Sequence, residues 1–162
     1  MSSVTPDDAA ARRHVRRLSN GVKESLREVG LQLALLNHQV GARLELRDVD
    51  FDCLNLIARD GPLSPGALAR RAGLHPATMT GVLDRLERAG WVVRERDPDD
   101  RRAVRVRALR DRTGEVLQLY AGMNGAMDDI CAAYSAEQLE AIGDFLRRTA
   151  AAGQAATGEL GG

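Results

Sequence analysis

Apolar residues recur at spacings of three and four along the first quarter of the chain, at Val15, Leu18, Val22, Leu26, Val29 and Leu33. That period marks one face of an α-helix. Thr5-Pro6-Asp7-Asp8 supplies a start for it, with Thr5 as cap, Pro6 at the first helical position and carboxylates near the positive end of the helix dipole. The pattern predicts a helix to about Leu44, weakened or bent at Asn20-Gly21 and Gly30. So long an amphipathic helix carries more apolar face than one small domain uses, and the excess points to a partner subunit.

From about Asp48 the positions Phe51, Leu54, Leu56 and Ile57 put apolar residues on more than one side of a second helix, which marks it as central to a core. It should end at Arg59-Asp60-Gly61-Pro62. Ser64 as cap and Pro65 at the first position open a short third helix over residues 66–72, closed by Gly73, which can take the left-handed conformation of a tight helix stop. A fourth helix begins at His75-Pro76 and runs to about Arg88, with Met79, Val82, Leu83 and Leu86 in one stripe. After Gly90 the period changes from helical to extended. Residues 91–96 and 103–107 read as strands, the second alternating Val and Arg. Asp97-Pro98-Asp99-Asp100 between them has the composition of a type I turn, so the pair is a hairpin. A fifth helix is expected from about Asp111 to Tyr134, and a sixth from the capping box Ser135-Ala136-Glu137-Gln138.

The expected fold is therefore mainly α with a small β-hairpin wing: a winged helix-turn-helix lobe plus a helical dimerisation region. Its divisions are a dimerisation helix at 6–46, the lobe at 47–110, two further helices at 111–152, and an Ala/Gly-rich, flexible tail at 153–162.

Composition sharpens this picture in one place. Aromatic residues are only 3% of the chain, so its core must be built from Leu, Val, Ala and Ile. Net charge is zero, with 23 basic against 23 acidic residues, yet residues 64–110 hold eleven Arg against six acids. That segment is a basic island of +5 in an otherwise acidic protein, as a phosphate-facing surface requires. The two cysteines, Cys53 and Cys131, form no C-x-x-C pair and suggest neither a disulfide framework nor a zinc site. Residues 1–17 hold no apolar signal core, and no run approaches the length of a membrane-spanning helix, so a cytoplasmic protein with no membrane partner is expected. His14, His38 and His75 stand far apart, and H-E-x-x-H, G-x-S-x-G and G-x-x-x-x-G-K are all absent, so no enzyme and no cofactor are expected.

Helix, glycine turn, helix and basic hairpin follow one another over residues 64–108, the plan of a winged helix-turn-helix that binds double-stranded DNA. An α-helix about 10–12 Å across fits a major groove about 12 Å wide. Thr78, Thr80, Gly81 and Arg85 lie off the apolar stripe of the fourth helix and are short, polar or cationic enough to meet base edges. Ser64 and the helix start at His75, Pro76 and Ala77 complete the DNA-facing set. Arg101 and Arg102 stand just past the turn, where guanidinium groups can reach a minor groove. Asp100 is the candidate for pairing with a nearby Arg to fix the wing.

The run Leu83, Leu86-Glu87 and Gly90, taken with the wing pattern Asp100-x-Arg102, resembles the MarR (multiple antibiotic resistance regulator) family over residues 48–110. The resemblance implies a homodimer whose first, fifth and sixth helices interlock, holding two lobes on a pseudo-palindromic operator. It also implies repression relieved by a small-molecule effector, in a cavity for which Asn37, His38, Phe51 and Asn55 are the candidates. Alternatives are a ligand-independent DNA-binding dimer and a thiol-redox sensor, although Cys53 and Cys131 sit in apolar runs that favour buried, inert thiols. One departure stands out. His75 occupies the helix start where such proteins often carry a hydroxyl or amide cap, which leaves it open to contact phosphate or a base edge instead.

Overall fold

The computed structural model describes residues 6–160, with side chains from residue 8 onward, so the expected Thr5 cap lies outside the described residues. The elements follow in the order α1 (Pro6–Arg43), α2 (Asp48–Asp60), α3 (Pro65–Ala72), α4 (Pro76–Arg88), β1 (Val92–Arg96), β2 (Val104–Ala108), α5 (Thr113–Ala132) and α6 (Ala136–Leu160), with a 3-10 turn at Arg110–Arg112. The fold is mainly α with one antiparallel hairpin. Neither Gly21 nor Gly30 breaks α1, which is one 38-residue helix.

The chain divides into two units after Gln39. Within the first, Val15, Leu18, Val22 and Val29 are all exposed, so the apolar stripe of α1 has no cover there. The second unit holds the core. Phe51, Cys53, Leu54 and Ile57 of α2 meet Leu68 and Ala69 of α3, the α4 stripe Met79, Val82, Leu83 and Leu86, and Trp91, Val92 and Val106 of the hairpin. Among the described residues, every buried side chain lies between Val40 and Val106.

Local chemistry explains the joints. The Ser64 hydroxyl accepts from the Ala67 N–H at 3.2 Å and starts α3. Gly73 ends it at φ 63°, and the Leu74 N–H closes the stop onto the Ala69 carbonyl at 2.9 Å. The hairpin pairs Val92 with Ala108 through to Arg96 with Val104. Leu63 adds an isolated bridge on the other edge of β2, its N–H and C=O bonding Val106 at 3.1 and 2.7 Å. A lone apolar residue between Pro62 and Ser64 is too short to show any period, so this bridge was not foreseeable from the pattern.

Two expectations are corrected. The tight turn of the hairpin is not at 97–100 but at 100–103, where the Ala103 N–H bonds the Asp100 carbonyl at 2.9 Å and Arg101 and Arg102 become the central residues. The residues expected to form a flexible tail from 153 continue α6 to Leu160. Alanine is the strongest helix former, and α6 also packs on α3: the Thr157 methyl lies 3.1 Å from where a Cβ on Gly73 would stand. Neither α5 nor α6 contains a buried residue.

Candidate nucleic-acid interface

α4 is held from one side and open on the other. Its four apolar residues are buried, whereas Pro76, Ala77, Thr78, Thr80, Asp84 and Arg88 are exposed. The Thr80 hydroxyl donates to the Pro76 carbonyl at 3.2 Å, which leaves its oxygen free to accept and its methyl free for apolar contact. Gly81 is half-buried. Nδ1 of His75 accepts from the Ala77 N–H at 3.2 Å, so the imidazole is itself the helix cap, in the tautomer with its proton on Nε2.

Arg85 is placed otherwise than expected. Its Nε and Nη2 donate to the two carboxylate oxygens of Asp50 on α2 at 2.8 and 2.6 Å. Asp50 is 2% exposed, and a buried carboxylate needs such a partner. The guanidinium that looked free to read a base therefore ties α4 to α2, and Asp50 holds its pKa above the ordinary value. The sequence hid this because the partners stand 35 residues apart.

The same sorting runs through the whole basic island. Arg71 pairs with Asp60, Arg94 with Asp84 and Glu87, Arg105 with Asp97, and Arg107 with Glu95. Arg94 joins β1 to α4, and its backbone N–H also donates to the Glu87 carboxylate at 3.1 Å. Arg70, Arg88, Arg96, Arg101, Arg102 and Arg110 are exposed and make no ion pair among the described residues. Five arginines build the lobe; six are left exposed and without an ion pair among the described residues.

The wing is fixed by a different aspartate from the one expected. Asp97, nearly buried, pairs with Arg105 and accepts from the N–H groups of Asp99 at 2.8 Å and Asp100 at 3.4 Å. The Asp99 amide, with help from Arg105 and the Asp100 amide, holds the Asp97 carboxyl below its usual range. Asp100 supports the turn through its own carboxylate, which accepts from the Arg102 N–H at 2.9 Å rather than from a guanidinium. Arg101 and Arg102 are thereby presented at the tip of a braced loop. At the wing's root, the Arg112 guanidinium lies 3.7 Å over the buried Trp91 ring and donates to the Ala89 carbonyl at 3.0 Å.

The candidate effector residues are not all of one kind. Phe51 is 1% exposed and packs beside Gly41 in the core, and Asn55 is half-buried. Asn37 and His38 belong to the other unit, half-buried and exposed respectively. Cys53 is fully buried, and burial pushes its thiol up to about 11, so it is protonated at neutral pH. Cys131 is only half-buried, not enclosed as expected, because α5 has no buried side. Among the described residues no group of His, Cys, Asp and Glu could hold a metal ion, and no helix is long and apolar enough to cross a membrane.

Residues 46–104, from just before α2 to the first residue of β2, match the model of the MarR family. An HTH-type transcriptional regulator of Bacillus subtilis, YcgE, is 32% identical over 124 residues, covering 76% of this chain and 80% of that protein. The chain belongs to the MarR family. It is also similar to the B. subtilis HTH-type transcriptional repressor YetL, 30% identical over 109 residues, or 64% of this chain and 65% of that protein. Among solved structures, the transcriptional regulator Tm0710 of Thermotoga maritima superposes with a TM-score of 0.59 at 27% identity, covering 82% of this chain and 94% of that one. The protein is thus a MarR-family transcriptional regulator with a DNA-binding winged helix, and its relatives are regulators rather than enzymes.

Proposed function

We propose that this protein is a cytoplasmic homodimeric repressor that reads a pseudo-palindromic operator, with one α4 in each half-site. The observation that carries this reading is the division of the basic island into paired and unpaired arginines. Arg88, Arg96, Arg101 and Arg102 remain for phosphates and the minor groove around α4, while Ala77, Thr78 and Thr80 form the exposed surface that meets bases. Ser64 and His75 cap their helices and thereby set where α3 and α4 begin. The uncovered apolar residues of α1, α5 and α6 support a dimer, which would hold two recognition helices roughly 34–36 Å apart. The repressor role is supported by the name of the relative YetL.

An effector has room in a cavity of about 610 Å³ between the end of α2, β2 and the start of α5. Ile57, Ala58, Ala108 and Leu117 give it apolar walls, and Arg107 and Arg110 give it positive charge, a lining suited to a small molecule with an apolar body and an anionic group. Selection of bound fragments from genomic DNA tests the operator reading directly. The expected result is an enriched palindrome whose half-sites lie about 10 bp apart. Arg101→Ala with Arg102→Ala should weaken binding and flatten its dependence on salt by about two counterions per protomer. No enriched sequence, or an unchanged salt slope, overturns the assignment of these residues.

A further inference from the structure

The geometry points to Arg112 as a positioning residue for DNA recognition: its guanidinium locks the lobe onto the start of α5 and thereby fixes the half-site spacing that the protein accepts. This rests on the dimer and the palindrome proposed above and adds the device that sets their geometry. Arg112 ends the 3-10 turn and directly precedes α5, where the lobe hands the chain on to the later helices. Its side chain is engaged on both sides of that boundary. Toward the lobe, Nη1 donates to the Ala89 carbonyl at 3.0 Å and the guanidinium carbon stands 3.7 Å from the centre of the Trp91 ring. Toward α5, Nε and Nη2 donate to the two carboxylate oxygens of Glu115, each at 3.0 Å.

The groups it grips are those that aim the winged helix. Ala89 closes α4, so its carbonyl belongs to the last turn of that helix, where carbonyls lack helical partners. Gly90 then turns the chain at φ 75°, the Trp91 N–H bonds the Leu86 carbonyl at 2.9 Å, and the Leu109 N–H bonds the Trp91 carbonyl at 2.9 Å. One guanidinium thus meets the end of α4, the root of the wing and the first turn of α5. A planar fork with fixed donors suits such a joint, because each bond sets direction as well as distance. All three nitrogens donate within the chain, unlike those of the exposed Arg101 and Arg102. Once one lobe of a dimer has bound, the other reaches its half-site at an effective concentration set by the stiffness of the connection. A stiff joint concentrates the second lobe at one spacing, and a loose joint spreads it over several. Each added base pair moves the second half-site by about 3.4 Å along the duplex and by about 35° around it, so a small change of stiffness is readable as spacing preference.

The test uses the full-length chain and the palindrome that the parent selects from genomic DNA. It adds the same palindrome with one base pair inserted or removed between its half-sites, and a duplex with one half-site scrambled. Arg112→Met keeps an apolar stem over Trp91 and removes the hydrogen bonds. It should bind the native spacing roughly tenfold more weakly and lose roughly tenfold of the parent's discrimination against the altered spacings, while the single half-site is bound within about twofold of the parent. Glu115→Ala, at a half-exposed residue of α5, frees the joint from the other side and should shift the spacing preference the same way, whether or not Arg112→Met destabilises the lobe. Parental discrimination in both variants overturns the inference and leaves the dimer and its operator standing. Equal losses on the palindrome and the single half-site make Arg112 a stabiliser of the lobe, and a flatter salt dependence on the single half-site makes it a phosphate contact; either overturns the positioning role. A parent that selects no palindrome overturns the operator reading itself, and the spacing role with it.

Discussion

The lobe and the helices that follow it are stable on different grounds. Between Val40 and Val106 lie all the buried side chains of the described chain, including Phe51, Leu83 and Leu86 at about 1% exposure or less. α5 and α6 together supply 45 helical residues and bury none. Helices in water owe most of their stability to a packed apolar face rather than to propensity. The lobe supplies that face internally, whereas α5, α6 and the stripe of α1 leave it outward. One region is thus a self-sufficient reading head, and the other carries the open apolar surface on which the proposed dimer would rest.

Core truncation gives the largest expected effect and cuts between the two directly. Leu86→Ala should destabilise the protein by about 2–5 kcal/mol at any protein concentration, since it leaves a cavity inside the lobe. Leu146→Ala, nearly half exposed in the single chain, should lower the melting temperature by an amount that depends on concentration, because it acts through association. Thermal melts from 1 to 100 μM check this, and a concentration-independent loss for Leu146→Ala would break the comparison. Next in size is Asp50→Ala. It strands Arg85 and should cost about 3 kcal/mol, the low end for a buried pair, because Arg85 keeps a third of its side chain in water. The loss should appear in urea melts and be relieved in part by Arg85→Met, which fills the site without a charge; relief absent, the pair is not what joins α2 to α4.

Much of this was legible from the amino-acid order, and the misses share one cause. Period and caps are local signals, so the four-residue stripe of α4, the Ser64 and Gly73 boundaries and the hairpin all appeared in the sequence. Arg85 with Asp50, Arg105 with Asp97 and Arg112 over Trp91 are tertiary pairings, and nothing in the spacing of charged residues announces them. The count of eleven arginines in the basic island does not reveal that five of them pair with carboxylates of the lobe, Arg85 among them. The helical run to Leu160 shows the same limit from the other side, because Ala- and Gly-rich composition alone does not reveal that Thr157 meets Gly73.

The smallest effect sharpens the comparison inside the reading head itself. The lobe's centre is held chiefly by apolar burial, which does not titrate, but its wing is held by the Asp97 carboxylate. That group has its pKa depressed in the folded state, chiefly by the Asp99 N–H and then by Arg105. A depressed carboxyl contributes order fully above its unfolded value of about 3.9 and loses it as pH falls through the folded value. Lowering pH from 6 should therefore leave the wing intact to about pH 4 and release it below. Amide chemical shifts of Asp99 and Asp100 should move in that window ahead of those of Leu83 and Leu86 in the core. Asp60 and Glu95 are depressed too, by Arg59 and Arg107, so acid alone does not isolate one carboxylate. Asp97→Asn at neutral pH does. It should reproduce the loosened wing, with altered Asp99 and Asp100 amides and a mobile Arg105, while the melting temperature of the lobe changes little. If the asparagine variant kept parental shifts, the hydrogen bonds to the turn rather than the charge would be what holds Arg101 and Arg102 at the tip.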